Sequence, residues 1–172
     1  SLGLDILGAT SGSGDPDSEF FSWRGQGQWV RLVNQDALLV AQGTAQLAAG
    51  SLLPLEQLGL GGAGSVRGYR QDRLLVDNGV FGSVEMRFPL YRNPQGTQLL
   101  QVAPFIEGAY GWNAGSPAPD QNTLLSAGAG LLWQQEQLSA RLDFGLPLLS
   151  DNRSGNSLQE TGFHLSVDYR LF

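Results

Sequence analysis

The sequence contains no cysteine, one histidine and one methionine. Without cysteine there is no disulfide framework and no thiolate metal site. A single histidine, His164, excludes a histidine-based metal cluster and makes a serine triad improbable on counting alone. Charge is scarce: 15% of residues are charged, against roughly 25% in soluble domains. The balance is acidic, with a net charge of -6, which argues against nucleic acid as a main partner. No apolar run approaches the roughly 18 residues of a membrane-crossing helix. Crossing by strands stays open, because such strands alternate in polarity and signal weakly one by one.

Glycine, by contrast, is abundant, at 24 of 172 residues. It punctuates a repeated pattern of apolar and polar residues in strict alternation, the period of a strand with two unlike faces. Eight such stretches are expected at about 2–8, 20–33, 37–48, 80–91, 99–112, 124–134, 138–148 and 163–172. In the fourth, Val84, Met86, Phe88 and Leu90 oppose Ser83, Glu85 and Arg87. In the seventh, Leu138, Ala140, Leu142, Phe144 and Leu146 oppose Ser139, Arg141, Asp143 and Gly145. The chain opens at Ser1 within such a pattern, and it is read as a portion of something longer.

Three further features point to lipid on the apolar side. The stretches are about ten residues long, the length that crosses a bilayer at a tilt. Aromatics (Trp23, Trp29, Tyr91, Trp112, Trp133, Tyr169) fall near their ends, as interfacial girdles do. Short and long connections alternate, so short turns gather at one rim and long loops at the other. The alternative is a soluble β-sandwich or barrel with an unusually apolar outer face, and the two differ in whether a folded monomer is soluble without detergent.

The longest connection, 50–79, holds Gly59-Leu60-Gly61-Gly62-Ala63-Gly64-Ser65-Val66-Arg67-Gly68-Tyr69. It lacks the Gly-Lys-Ser/Thr ending of a phosphate loop. Its single arginine before Gly68 needs a partner, and Glu85, Glu107 and Asp143 all lie on polar faces by parity. A guanidinium pairs well with carboxylates. Nothing places a substrate between carboxylates, so neither a catalytic residue nor a cofactor nor a metal is expected, and the chain is not read as an enzyme.

The run from Leu53-Pro54-Leu55-Glu56-Gln57-Leu58 through Val66-Arg67-Gly68-Tyr69 resembles the inward-folded loop of two-partner secretion outer-membrane transporters, the haemolysin secretion/activation family of the barrel-assembly superfamily. Asp77-Asn78-Gly79, Glu85-Met86-Arg87-Phe88-Pro89-Leu90-Tyr91, Arg141-Leu142-Asp143-Phe144-Gly145 and Tyr169-Arg170-Leu171-Phe172 continue the likeness. The resemblance implies an all-β, antiparallel transmembrane β-barrel. Eight strands would lie here, the C-terminal half of a sixteen-stranded barrel, with the long loop folded inward. It implies a protein-secreting pore in a bacterial-type outer membrane, working on a partner exoprotein without nucleotide hydrolysis. The N-terminal half-barrel and periplasmic polypeptide-transport-associated domains would lie outside this chain. An insertase of the same superfamily is the alternative within this architecture. Val66, Arg67, Gly68 and Tyr69 would form a loop latch, with Glu85 and Glu107 favoured as partners of Arg67. Asp143 is an alternative that could instead pair with Arg141 or Arg170. Two departures stand out. Phe105-Ile106-Glu107-Gly108-Ala109 has Glu and Ala where the family has Asp and Gly, and Phe172 is out of register with Tyr169.

Overall fold

A computed structural model describes residues 5–7, 21–34, 36–114, 119–149 and 162–170. It is all-β. Eight strands form one antiparallel sheet: β1 (Asp5–Leu7), β2 (Ser22–Leu32), β3 (Leu38–Ala48), β6 (Asn78–Arg92), β7 (Gln98–Trp112), β8 (Thr123–Gln135), β9 (Leu138–Pro147) and β10 (Phe163–Tyr169). Each pairs with the next of these in the chain. Between β3 and β6 the chain leaves the sheet and makes a small hairpin of its own, β4 (Leu58–Leu60) with β5 (Leu74–Val76). The expected endpoints at residues 2–4, 8, 20 and 171–172, including Phe172, lie outside the described residues.

Two details differ from the sequence expectation. Asn78 and Gly79, assigned to the loop, belong to β6 and pair with Trp112 and Gly111. The Asn78 side chain accepts a hydrogen bond from the Ala48 amide (2.7 Å), which extends the ladder upward. The second is a register shift between Pro89 and Tyr91 opposite β7. An extra residue in one strand offsets the alternation beyond it. Leu90 and Tyr91 are consequently both exposed, and Tyr91 sits opposite outward-facing Leu100.

The two faces of the sheet have inverted polarity for a protein in water. Phe88, Val102, Leu131, Leu142 and Leu165 are successive register partners across five strands, from β6 to β10. Leu131, Leu142 and Leu165 in this row are exposed, Leu165 to 71%. On the opposite face Ser83, Glu85, Gln101, Glu107, Ser126 and Asp143 are buried. Water would favour the reverse, since soluble proteins rarely leave a continuous apolar face of this extent open. Lipid outside and a polar lumen inside account for both faces at once. Register also sorts the aromatics into two levels, with Trp23, Tyr110 and Trp112 toward the long-loop rim and Tyr91, Trp133 and Tyr169 toward the short-turn rim. At that second rim β8 and β9 are joined through Glu136 and Gln137 alone, and Glu136 takes the positive φ (50°) that such tight hairpins require.

Leu142→Arg puts a charge in the middle of the apolar row. It should cost about 2–4 kcal/mol near the bilayer midplane, whereas an exposed substitution in water stays within about 0.5 kcal/mol. Urea unfolding of the vesicle-inserted protein measures the difference.

The sheet is curled but unclosed: among the described residues β1 and β10 do not pair. Strands near opposite edges nonetheless line one cavity of about 270 Å³, with Gln28 of β2 and His164 of β10 among its walls. Into this curl the connection between β3 and β6 folds.

Candidate functional site: the inward loop and the wall it meets

Apolar packing forms one part of the docking. Leu58 and Leu60 of β4, Leu74 and Val76 of β5, and Val66 and Tyr69 of the tip bury together against Phe81, Ala109 and Leu124 of the wall. The tip is closed by its own hydrogen bonds. The Gly62 amide donates to the Val66 carbonyl (3.1 Å), and the Gly61 amide donates to the Ser65 hydroxyl (2.7 Å). The turn is therefore braced from within as well as by the wall.

Each residue of the Val-Arg-Gly-Tyr tetrad then meets something different. Val66 is wholly buried in the apolar cluster. The Tyr69 hydroxyl lies within hydrogen-bonding distance of the carbonyls of Leu125 (3.0 Å) and Leu149 (3.1 Å). Gly68 takes φ +99°, and a Cβ there would lie 2.9 Å from the backbone of Gly145 on β9. Gly145 is equally constrained, since its Cβ would lie 2.6 Å from the Arg67 carbonyl carbon. Two bare backbones thus touch, which only glycine permits on both sides.

Arg67 is 5% exposed and reaches three wall strands. Its Nε and Nη2 donate to Glu107 Oε1 of β7 at 2.8 and 2.5 Å. Its Nη1 donates to Glu85 Oε2 of β6 (3.1 Å) and to Asp143 Oδ1 of β9 (2.8 Å). Four side-chain hydrogen bonds leave one of the five guanidinium N–H groups over. The backbone amide of Arg67 also donates to Glu107 Oε2 (2.7 Å), so Glu107 grips both the side chain and the chain that carries it. Beneath the guanidinium lies the Phe105 ring, its centroid 3.5 Å from Cζ, a stacked cation–π arrangement. Phe105 and Glu107 lie two apart on one strand, so the same face supplies both.

Two more arginines complete the cluster. Arg141 Nη2 donates to Glu85 Oε2 (2.5 Å) and its Nε to Asp143 Oδ2 (2.6 Å). Arg87 Nε donates to Glu85 Oε1 (2.8 Å). Three guanidinium groups thus face three carboxylates, and the formal charge cancels. The cluster is graded in wetness. The Glu107 side chain is fully buried and that of Arg67 nearly so, while those of Arg141 and Arg87 are 25% and 29% exposed. The structure therefore brings all three candidate carboxylates onto Arg67, rather than choosing among them. Asp143 is shared between Arg67 and Arg141, and the Arg170 alternative does not form. The Arg170 amide donates instead to the Gln137 carbonyl at the far rim. Glu107, one methylene longer than the Asp that the resemblance implies there, reaches the arginine directly.

Sequence reasoning missed several members. Arg87 carried a parity signal on the same strand face as Glu85. Phe105 enters the sequence reading only through the resemblance, and Gly145 only by its parity and the same likeness, because the reason for Gly145 lies in another segment's backbone.

An antiparallel sheet with apolar outside, polar inside and a loop folded within defines an integral membrane β-barrel wall carrying an inward-folded loop. Residues 1–132 match the family of haemolysin secretion/activation proteins ShlB/FhaC/HecB, and the chain belongs to that family. It is 28% identical over 151 residues to the outer membrane transporter CdiB of Escherichia coli, over 86% of this chain and 26% of that protein. The match to CdiB of Escherichia coli O6:K15:H31 (strain 536 / UPEC) has the same identity and coverage. In fold it is similar to the solved structure of CdiB from Escherichia coli, with a TM-score of 0.74 and 24% identity, over 96% of this chain and 31% of that one. The chain spans about a quarter of the length of the curated relatives it matches.

Proposed function

We propose that this chain is part of the wall, and the whole of the inward loop, of a transporter that exports a partner polypeptide across the outer membrane. Export runs through the polar lumen without nucleotide hydrolysis. The loop is the gating or stabilising element, with Val66, Arg67, Gly68 and Tyr69 as its latch. The observation that carries this is the grip of Glu85, Glu107 and Asp143, from three different strands, on Arg67. A loop needed only for solubility at the rim has no reason to bring a guanidinium into a buried acidic wall. Family membership supports export as the direction.

Among the described residues the outer edges of β1 and β10 are unpaired, which bears on the rest of the protein. Open edges are not sustained in lipid, and closing at eight strands leaves a lumen just filled by side chains, with no room for this loop. Further strands therefore complete a wider barrel.

In the full-length transporter, Arg67→Ala should raise open-pore conductance in planar bilayers and change the amount of partner exoprotein released by cells. Unchanged conductance together with unchanged release would remove the loop from the gating role.

A further inference from the structure

The latch at the tip leaves the root of the loop unexplained, and the root has a polar cluster of its own. Asp77, the last residue before β6, is 1% exposed. Its Oδ1 accepts from the Leu52 amide (3.0 Å) and from Gln57 Nε2 (2.9 Å), both on the outgoing limb of the loop. Its Oδ2 accepts from the Ala114 amide (2.9 Å) in the β7–β8 connection. The Asp77 amide donates to Asn113 Oδ1 (3.3 Å), and its carbonyl accepts from Gln46 Nε2 of β3 (3.1 Å). The same Gln46 amide donates to the Glu56 carbonyl (3.1 Å). Ser51 Oγ also donates to the Ala114 carbonyl, a second tie between limb and connection.

We propose that Asp77 is a positioning residue that anchors the loop at its root, tying both limbs and the β7–β8 connection together independently of Arg67. A carboxylate alone supplies what this position needs. Three donors from two segments converge on two acceptor oxygens, and an ionised carboxylate is acceptor-only. Hydrogen bonds to an ionised group are about twice as strong as neutral ones. Burial opposes the charge, but the bonds from Gln57, Leu52 and Ala114 outweigh it and hold the Asp77 carboxyl below its usual value of 3.8. The charged, fully accepting form is thus the resident one. The β4–β5 hairpin lies between root and tip, so each anchor controls its own end. Arg67 sets whether the tip meets the wall, and Asp77 sets the angle at which the loop enters the lumen.

This deepens the reading of the loop as a gate, and its test reads anchoring without reference to secretion, so either can fail alone. The chain has no cysteine, which permits single-cysteine probes. Leu52→Cys reports the root and Ser65→Cys the tip, both buried in the native loop. Each is introduced into the full-length transporter and labelled in whole cells with a membrane-impermeant maleimide. Asp77→Ala should raise labelling at position 52 roughly tenfold or more, the effect of losing charge-assisted bonds on local opening. It should leave position 65 within about twofold, as expected of uncoupled sites. Arg67→Ala should do the reverse. Asp77→Asn retains the shape but only one acceptor oxygen, so it should give an intermediate rate at position 52. An unchanged rate at 52 in Asp77→Ala, or both probes rising together in either variant, would overturn the proposal. If Asp77→Ala yields no folded barrel, the Asn variant decides by the same two probes.

Discussion

Replacing Arg67 with alanine should undock the loop tip at a cost of about 3–5 kcal/mol, the range for removing one partner of a buried ion pair. The loss falls unevenly. Glu85 and Asp143 keep Arg141 as a partner, and Glu85 also keeps Arg87. Among the described residues Glu107 makes its ion pair with Arg67 alone, and its side chain is fully buried. It is therefore left as a charge without compensation, and this is where most of the cost arises. The Phe105 ring loses its stacked cation as well. Lysine should recover only a small part, because its three donors on a flexible stem cannot serve three carboxylates from one plane. Neutralising Glu107 together with Arg67 should be milder than Arg67→Ala alone, since the uncompensated charge then disappears. Hydrogen exchange of the tip amides, with the barrel folded in each variant, reads the loop separately from global stability. A tip that stays fully protected in Arg67→Ala would place the docking energy in the apolar cluster.

The second large effect is steric. Gly145→Ala places a methyl group 2.6 Å from the Arg67 carbonyl carbon and 2.7 Å from the Gly68 amide nitrogen. Both are backbone atoms of a closed turn and cannot swing aside. Overpacking of this kind costs about 1–3 kcal/mol or more. Gly68→Ala adds backbone strain to the collision, because φ +99° lies outside what an L side chain tolerates easily. Combining the two should cost less than their sum, since once the backbones part neither methyl meets the other chain. The same tip exchange measurement checks this. Gly82→Ala serves as the control, where an added Cβ has only one ordinary contact, the Gln42 carbonyl at 4.0 Å.

The sequence revealed faces better than neighbours. Alternation has a fixed period of two, so the parity of Leu142 and Asp143 follows from the chain alone. Parity also separated Glu85, Glu107 and Asp143 from the apolar residues beside them. It could not show that all three converge on one guanidinium, because strand register and sheet curl decide that, and both depend on distant segments. The β4–β5 hairpin was illegible for a simpler reason. Leu58–Leu60 and Leu74–Val76 are three residues each, too short for a period, and residues 61–73 separate them. The offset at Leu90 left no trace either, since Phe88, Leu90 and Tyr91 are all apolar and any of them suits lipid. Asp77 appeared only as a member of Asp-Asn-Gly, a turn-like sequence whose importance comes from Leu52 and Ala114, far from it in the chain. What sequence alone conveyed was chemistry of type and side; what it withheld was contact.

Held by carboxylates of the wall, the loop tip should lie inside the lumen of the full-length transporter. Trypsin cleavage of the full-length transporter in intact outer membranes tests it most directly, because Arg67, Arg70 and Arg73 all lie in or beside the tip. Cleavage after Arg70 and Arg73 should be absent in the native protein and rapid in Arg67→Ala, which keeps both sites. Equal cleavage of native and variant protein at these arginines would contradict it.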